Sequence, residues 1–152
     1  MYKVNIVVPS LTTDSHLVRC LNGVQNLNYK NFFVTLVLDD NKNLSILKKF
    51  KFKFKIKILF LKKSNMSKKR NVAAKKFDSD FLAFIDSDAC PSKNWLTNAI
   101  KEIKSKKIEI IGGPNIPFEN QYFWQKISTI VELPAISLYL SLYLIAVRLG
   151  II

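Results

Sequence analysis

Histidine, cysteine, glycine and acid are all scarce in this chain of 152 residues. Any Ser-His-Asp or Cys-His relay would have to run through the single histidine, His16, near the start of an expected helix, so such chemistry is not expected. The two cysteines, Cys20 and Cys90, lack metal-ligand spacing, which argues against a structural zinc site. With no signal-peptide pattern ahead of the first apolar run, they suit a reducing, cytoplasmic setting. There are four glycines, and no Gly-rich loop follows the first apolar run, so a dinucleotide-binding dehydrogenase is not expected. The shortage of acid is the most consequential: 11 Asp and Glu face 24 Lys and Arg, for a formal charge of +13. That balance favours an anionic partner, whether nucleic acid, a phosphorylated ligand or an acidic membrane face, without choosing among them. Runs such as Lys62-Lys63 and Lys68-Lys69 read first as a solvated face.

The length gives room for one domain with a proper core. Val4–Val8 is a short apolar run stopped by Pro9, the pattern of a strand buried on both faces. TTDSH then offers helix caps, and Leu17, Val18, Leu21, Val24 and Leu27 recur at helical spacing. A second strand, Phe32–Leu38, ends on Asp39 and Asp40, and a short helix is expected over Leu44–Phe50. Between Phe50 and Ile58, Lys51, Lys53, Lys55 and Lys57 alternate with Phe or Ile. This is the period of a strand with one charged face, read first as a protected sheet edge. A helix over Ser67–Phe77, a strand over Phe81–Ile85, a helix from a Ser92 cap to Lys104 and a strand over Ile108–Ile111 complete an alternating α/β order.

In a mostly parallel sheet, ligands bind beyond the carboxyl ends of the strands. Three of the expected strands end there on polar groups: Pro9-Ser10, Asp39-Asp40 and Asp86-Ser87-Asp88. Adjacent carboxylates repel unless a proton or cation lies between them, and hard oxygen donors suit Mg2+ or Mn2+ carrying a substrate diphosphate. Alone, an Asp-x-Asp reads equally well as a solvated turn capping the next helix.

Taken together, IVVPS, the VLDD strand end, KKRN, FLAFIDSD with Trp95 beyond it, and IIGGPN resemble the N-terminal half of family 2 glycosyltransferases over roughly Lys3 to Asn115. The resemblance implies the GT-A fold, a Rossmann-like, mostly parallel sheet with helices on both faces, here incomplete on its C-terminal side. It implies a donor-binding half over residues 1–118. It also implies that Asp39 meets the nucleotide base, that Pro9 and Ser10 lie beneath the nucleotide, and that Arg70 lies near the base. Asp86 would sit near the ribose, Asp88 would hold Mn2+ or Mg2+ on the diphosphate, and Gly112 and Gly113 would pass the sugar site, although a plain turn explains those glycines nearly as well. The reaction implied is inverting transfer from a nucleotide-diphosphate sugar to an unknown glycan or lipid-linked acceptor.

Two departures stand out. Asn65 replaces the family's usual glycine, which Asn tolerates by its ease in the left-handed region, and Lys69 replaces a small residue before Arg70. No residue matches the family's general base, Glu119 and Glu132 included, so the catalytic base is unknown. The chain therefore reads as truncated or split, with its acceptor half supplied by another chain, or as a non-catalytic nucleotide-binding fragment. Residues 119–152 form an expected apolar helical segment with fifteen uncharged residues between Glu132 and Arg148. A core helix, a membrane-associated segment at the cytoplasmic face and a spanning helix all remain open for it. Outside this family, an Asp-x-Asp phosphotransferase fits less well, since the motif falls on the fourth strand. A basic nucleic-acid module also fits less well, because the Phe residues of FKFKFKIK alternate away from Lys, so no specific nucleic acid is expected.

Overall fold

A computed structural model describes residues 1–42 and 44–113, together with the backbone of 144–148. The elements run β1 (Val4–Pro9), α1 (Ser15–Gln25), β2 (Phe32–Leu38), α2 (Leu44–Lys48), β3 (Ile56–Phe60), α3 (Met66–Lys76), β4 (Phe81–Phe84), α4 (Trp95–Lys106), β5 (Ile111–Gly112) and β6 (Leu144–Arg148). They build one sheet in the order β3-β2-β1-β4-β6-β5. β1 to β4 are parallel to one another, and β6 runs antiparallel to both β4 and β5.

Strand alternation sorts the apolar side chains onto two faces. Val4, Ile6 and Val8 of β1 pack with Val34, Leu36 and Leu38 of β2 under α1 and α4, whereas Val7, Val37 and Leu82 pack against Ala73 of α3. Both faces of the central strands are thus covered, which is why their sequences are continuous apolar runs. Helix α1 begins where Asp14 accepts a bond from Leu17 N at 3.0 Å, and its Leu17, Cys20, Leu21 and Val24 are fully buried at helical spacing. Burying each such large side chain contributes about 1.5–3 kcal/mol. A buried polar pair, Thr35 Oγ1 donating to Asn5 Oδ1 at 2.7 Å, ties β2 to β1 on the α3 face.

Several expectations need correction. The lysine-alternating segment becomes a strand only from Ile56. With Val34 opposite Ile56, residues 51–53 would extend past the start of β2, and Lys53 N bonds Gln25 Oε1 at 3.0 Å instead. Nor are its lysines all solvated, because Lys57 lies over the rings of Phe77 and Phe33, 3.7 and 4.3 Å from their centroids. Asn65 is not left-handed: at φ −68° and ψ 161° it caps α3, accepting from Lys68 N at 2.8 Å, and Lys63 takes the positive φ of 48°. The C-terminal segment expected to be helical carries strand β6 at 144–148, where an antiparallel sheet position, not a helix partner, satisfies the backbone. The rest of that segment lies outside the described residues. Among the described residues no helix is long and apolar enough to cross a membrane. The fifth strand is also shorter than expected and starts at Ile111, and α4 starts at Trp95, whose N–H bonds Ser92 O at 3.0 Å, with Asn94 as the cap.

Candidate functional site

From β1 the chain crosses to β2 on one side, and β3 leads through α3 back to β4 on the other side of β1. The strand order therefore reverses between β1 and β4, the position beyond whose carboxyl ends open α/β sheets hold their ligand crevice. Pro9 closes β1 at this end, and Asp39 follows β2. Asp86 and Asp88 follow β4, and α3 enters from β3 with its N-terminus on the same side.

Two consecutive residues of α3 bind two different strand ends. Lys69 is fully buried, and its Nζ donates to Ser10 O at 2.5 Å and lies 2.7 Å from Asp39 Oδ1. The Asp39 contact falls off the hydrogen-bonding direction, so charge holds the pair. Arg70, about 100° further round the helix, donates to Asp86 Oδ1 at 2.5 Å. One turn of α3 thus joins the ends of β1, β2 and β4. Ser10 is buried, with its N–H on Val37 O at 2.9 Å and its hydroxyl donating to Thr12 O at 2.8 Å, which holds the loop after β1 close to the sheet. Asp40 turns outward and accepts from Lys42 N at 2.8 Å.

The two carboxylates of the Asp-x-Asp differ in environment. A tight turn, closed by Ala89 N bonding Asp86 O at 3.1 Å, separates them. Asp86 is half-buried. Burial pushes its carboxyl above the ordinary aspartate range and the neighbouring Asp88 charge adds to this, while Arg70 pulls it back. Asp88 is exposed, and among the described residues its carboxylate has no hydrogen bond or ion pair. Its backbone is anchored instead, with Arg19 donating to Asp88 O at 3.2 Å. Cys20 lies beneath the turn, its Sγ donating to Asp86 O at 3.6 Å. Burial first, with Cys90 and both aspartates contributing, pushes its thiol up to about 12.

An exposed carboxylate beside one already paired fits a cation that takes one or two protein carboxylates and completes its shell with water and phosphate oxygens. No group of three metal-ligating side chains occurs among the described residues. Of the sequence-selected residues, Pro9, Ser10, Asp39, Arg70, Asp86 and Asp88 come together at the sheet end. Gly112 lies in β5, outside the contacts among those residues, paired with Leu144 of β6. Gly113 is exposed, and a Cβ there would meet nothing within 4 Å.

Sequence reasoning missed two residues. Lys69 reads with Lys68 as part of a solvated face but is the largest fully buried side chain among the described residues. It lies on one helix face with Ala73, the other buried residue of α3, four positions on, but nothing local marks that face as the buried one. Arg19 is separated from Asp88 by 69 positions, and nothing local marks the contact.

The strand order and the crevice define a doubly wound α/β domain of the GT-A class. The chain belongs to glycosyl transferase family 2, whose family model matches residues 5–147. Among curated proteins it is similar to glycosyltransferase AglE of Haloferax volcanii, with 26% identity over 121 residues, 76% of this chain and 40% of AglE. It is also similar to the poly(ribitol-phosphate) beta-N-acetylglucosaminyltransferase TarS of Staphylococcus aureus, with 27% identity over 117 residues, 73% of this chain and 20% of TarS. Among solved structures it matches S. aureus TarS 1–349 in complex with UDP-GlcNAc, with a TM-score of 0.62, 25% identity and coverage of 76% of this chain and 37% of that one. The mannosyltransferase PcManGT of Pyrobaculum calidifontis, in complex with GDP-Man and Mn2+, matches in fold with a TM-score of 0.64, 14% identity and coverage of 74% and 36%. The chain thus spans well under half the length of these relatives.

Proposed function

We propose that the chain binds a nucleoside-diphosphate sugar in the crevice and serves its transfer, with inversion, to a glycan or lipid-linked acceptor. The observation that carries this reading is the unequal pair of carboxylates: Asp86 engaged by Arg70, Asp88 exposed beside it. Family membership and a relative solved with UDP-GlcNAc support it. In this reading Pro9 and Ser10 floor the nucleotide and Asp39 accepts a base N–H. Arg70 orients Asp86 toward the ribose, Asp88 holds Mn2+ or Mg2+, and Gly112 and Gly113 border the sugar. The bound cation would supply positive charge beside the leaving diphosphate. Transfer forms a bond from the acceptor oxygen to the anomeric carbon and breaks the bond to the diphosphate, and the hydroxyl proton passes to a base not assigned among the described residues.

The test is calorimetric titration of the chain with UDP and GDP, with and without Mn2+. Binding should depend on the metal and disappear in Asp88→Ala while the circular dichroism spectrum is unchanged. Equal affinity without metal, or an undiminished Asp88→Ala, would sink the reading.

A further inference from the structure

The net charge of this molecule is concentrated in one stretch. Residues 41–77 hold thirteen lysines and Arg70 with no Asp or Glu, a formal +14. Since the whole chain carries +13, the other 115 residues together carry −1. In the fold this stretch is α2, the segment leading to β3, β3 itself and α3. It occupies the end of the sheet where, among the described residues, β3 pairs with β2 alone and its other edge has no strand. The crevice uses Lys69 and Arg70, and Lys57 lies over two rings. Lys48, Lys49, Lys51, Lys53, Lys55, Lys62 and Lys63 are exposed.

Apolar surface lies open among these cations. A groove of about 440 Å³ between α2 and β3 is lined by Leu44, Leu47, Phe52, Phe54 and Ile56, with Lys48 and Lys51 also at its walls. Phe50 and Ile58, which line it too, are 41% and 39% exposed, and Phe60 at the end of β3 is 51% exposed. Large apolar side chains left in water beside a dense field of lysine make this edge a candidate interaction surface.

We propose that this edge is a docking surface for an anionic lipid bilayer, with the lysines engaging phosphate headgroups and Phe50, Ile58 and Phe60 entering the acyl boundary. Basic clusters beside exposed apolar side chains bind such membranes by these two terms together. The sign of the charge sets aside a second copy of this chain, because two lysine-dense edges repel. Ring packing argues against single-stranded nucleic acid. Phe50 stacks on Phe52 at 6.1 Å between centroids, Phe52 meets Phe54 at 5.4 Å and Phe54 meets Phe32 at 5.6 Å. The rings form one continuous apolar ridge rather than separate platforms on which bases could stack. Because β2 and β3 are parallel, Phe60, Lys62 and Lys63 lie at the crevice end of the sheet, so docking would place the crevice close to the membrane surface. The proposal does not depend on the sugar-transfer reading.

The experiment is flotation of the full chain with phosphatidylcholine vesicles, with and without one-third phosphatidylglycerol. We expect binding to the anionic vesicles alone, weakened by salt. The triple variant Lys51→Gln, Lys53→Gln, Lys55→Gln should bind about ten- to a hundredfold less, and the apolar variant Phe50→Ser, Ile58→Ser should also bind less. Nucleotide titration of both variants serves as the independent arm: it should match the parent, and its failure in the parent would bear on the donor site alone. Absent binding, equal binding to neutral vesicles, binding unchanged in both variants, or displacement of the chain from vesicles by a single-stranded oligonucleotide at this same edge would each overturn the proposal.

Discussion

The ion pair between Lys69 and Asp39 is unequal, since the Lys69 side chain is fully enclosed and that of Asp39 is 26% exposed. This asymmetry predicts which partner is costlier to remove. Asp39→Asn leaves an enclosed ammonium with Ser10 O as its remaining partner among the described groups. Breaking a buried pair so that a charge is stranded costs about 3–5 kcal/mol. Lys69→Met keeps the volume of the stem and removes the ammonium, leaving a carboxylate that is partly exposed to water although its Oδ1 is enclosed. Its cost is mainly the charge-assisted bond to Ser10, about 1.5–3 kcal/mol. The double variant removes both charges and should be more stable than Asp39→Asn alone, with a coupling of about 2 kcal/mol. Urea unfolding at pH 7, followed by far-ultraviolet circular dichroism, reads these differences as midpoint shifts on the order of 1–3 M. If Lys69→Met proves as damaging as Asp39→Asn, or the two losses simply add, the account of an enclosed lysine held by one carboxylate is wrong.

Three further predictions rest on separate contacts. Gly23 packs under the loop after the Asp-x-Asp, where an added Cβ would come within 2.5 Å of Cys90 Sγ and 2.9 Å of Pro91 Cδ. Gly23→Ala should therefore lose about 1–3 kcal/mol by overpacking, and an unchanged melting temperature would contradict this. Asp14 caps α1, and its bond from Leu17 N lowers its carboxyl below the ordinary 3.8. Asp14→Ala should cost about 1 kcal/mol at neutral pH. Because the folded value is depressed, that difference should persist down to the unfolded value and vanish as pH falls through the folded one; a pH-independent difference in melting would refute it. Finally, Cys20 is buried with its thiol pushed up to about 12 while Cys90 is exposed, so a disulfide reagent at pH 8 should modify Cys90 rapidly and Cys20 only on unfolding. Two fast thiols would refute the placement of Cys20.

The central elements were legible because each declared itself locally. Val4–Val8 and Phe32–Leu38 are apolar runs that only a strand covered on both faces would bury, and Leu17, Leu21 and Val24 repeat at the helical period. Asp39 and Asp86 could be selected because they terminate such runs. Lys69 could not, because lysine is ordinarily exposed and its burial depends on a carboxylate thirty positions away. The strand at 144–148 was hidden for a similar reason, since its apolar residues suit a helix equally well and pairing with β4 and β5 decides the matter.

By itself, the sequence determined the alternation of strands and helices, the face each apolar residue seeks, and the clustering of cations between residues 41 and 77, because periodicity and charge are properties of neighbours along the chain. Tertiary structure alone decided which carboxylate is already paired and which stays exposed, where a lysine is taken out of water, and that the charged stretch forms one open edge of the sheet. Those outcomes depend on distances between segments brought together by strand order, and no local pattern encodes them.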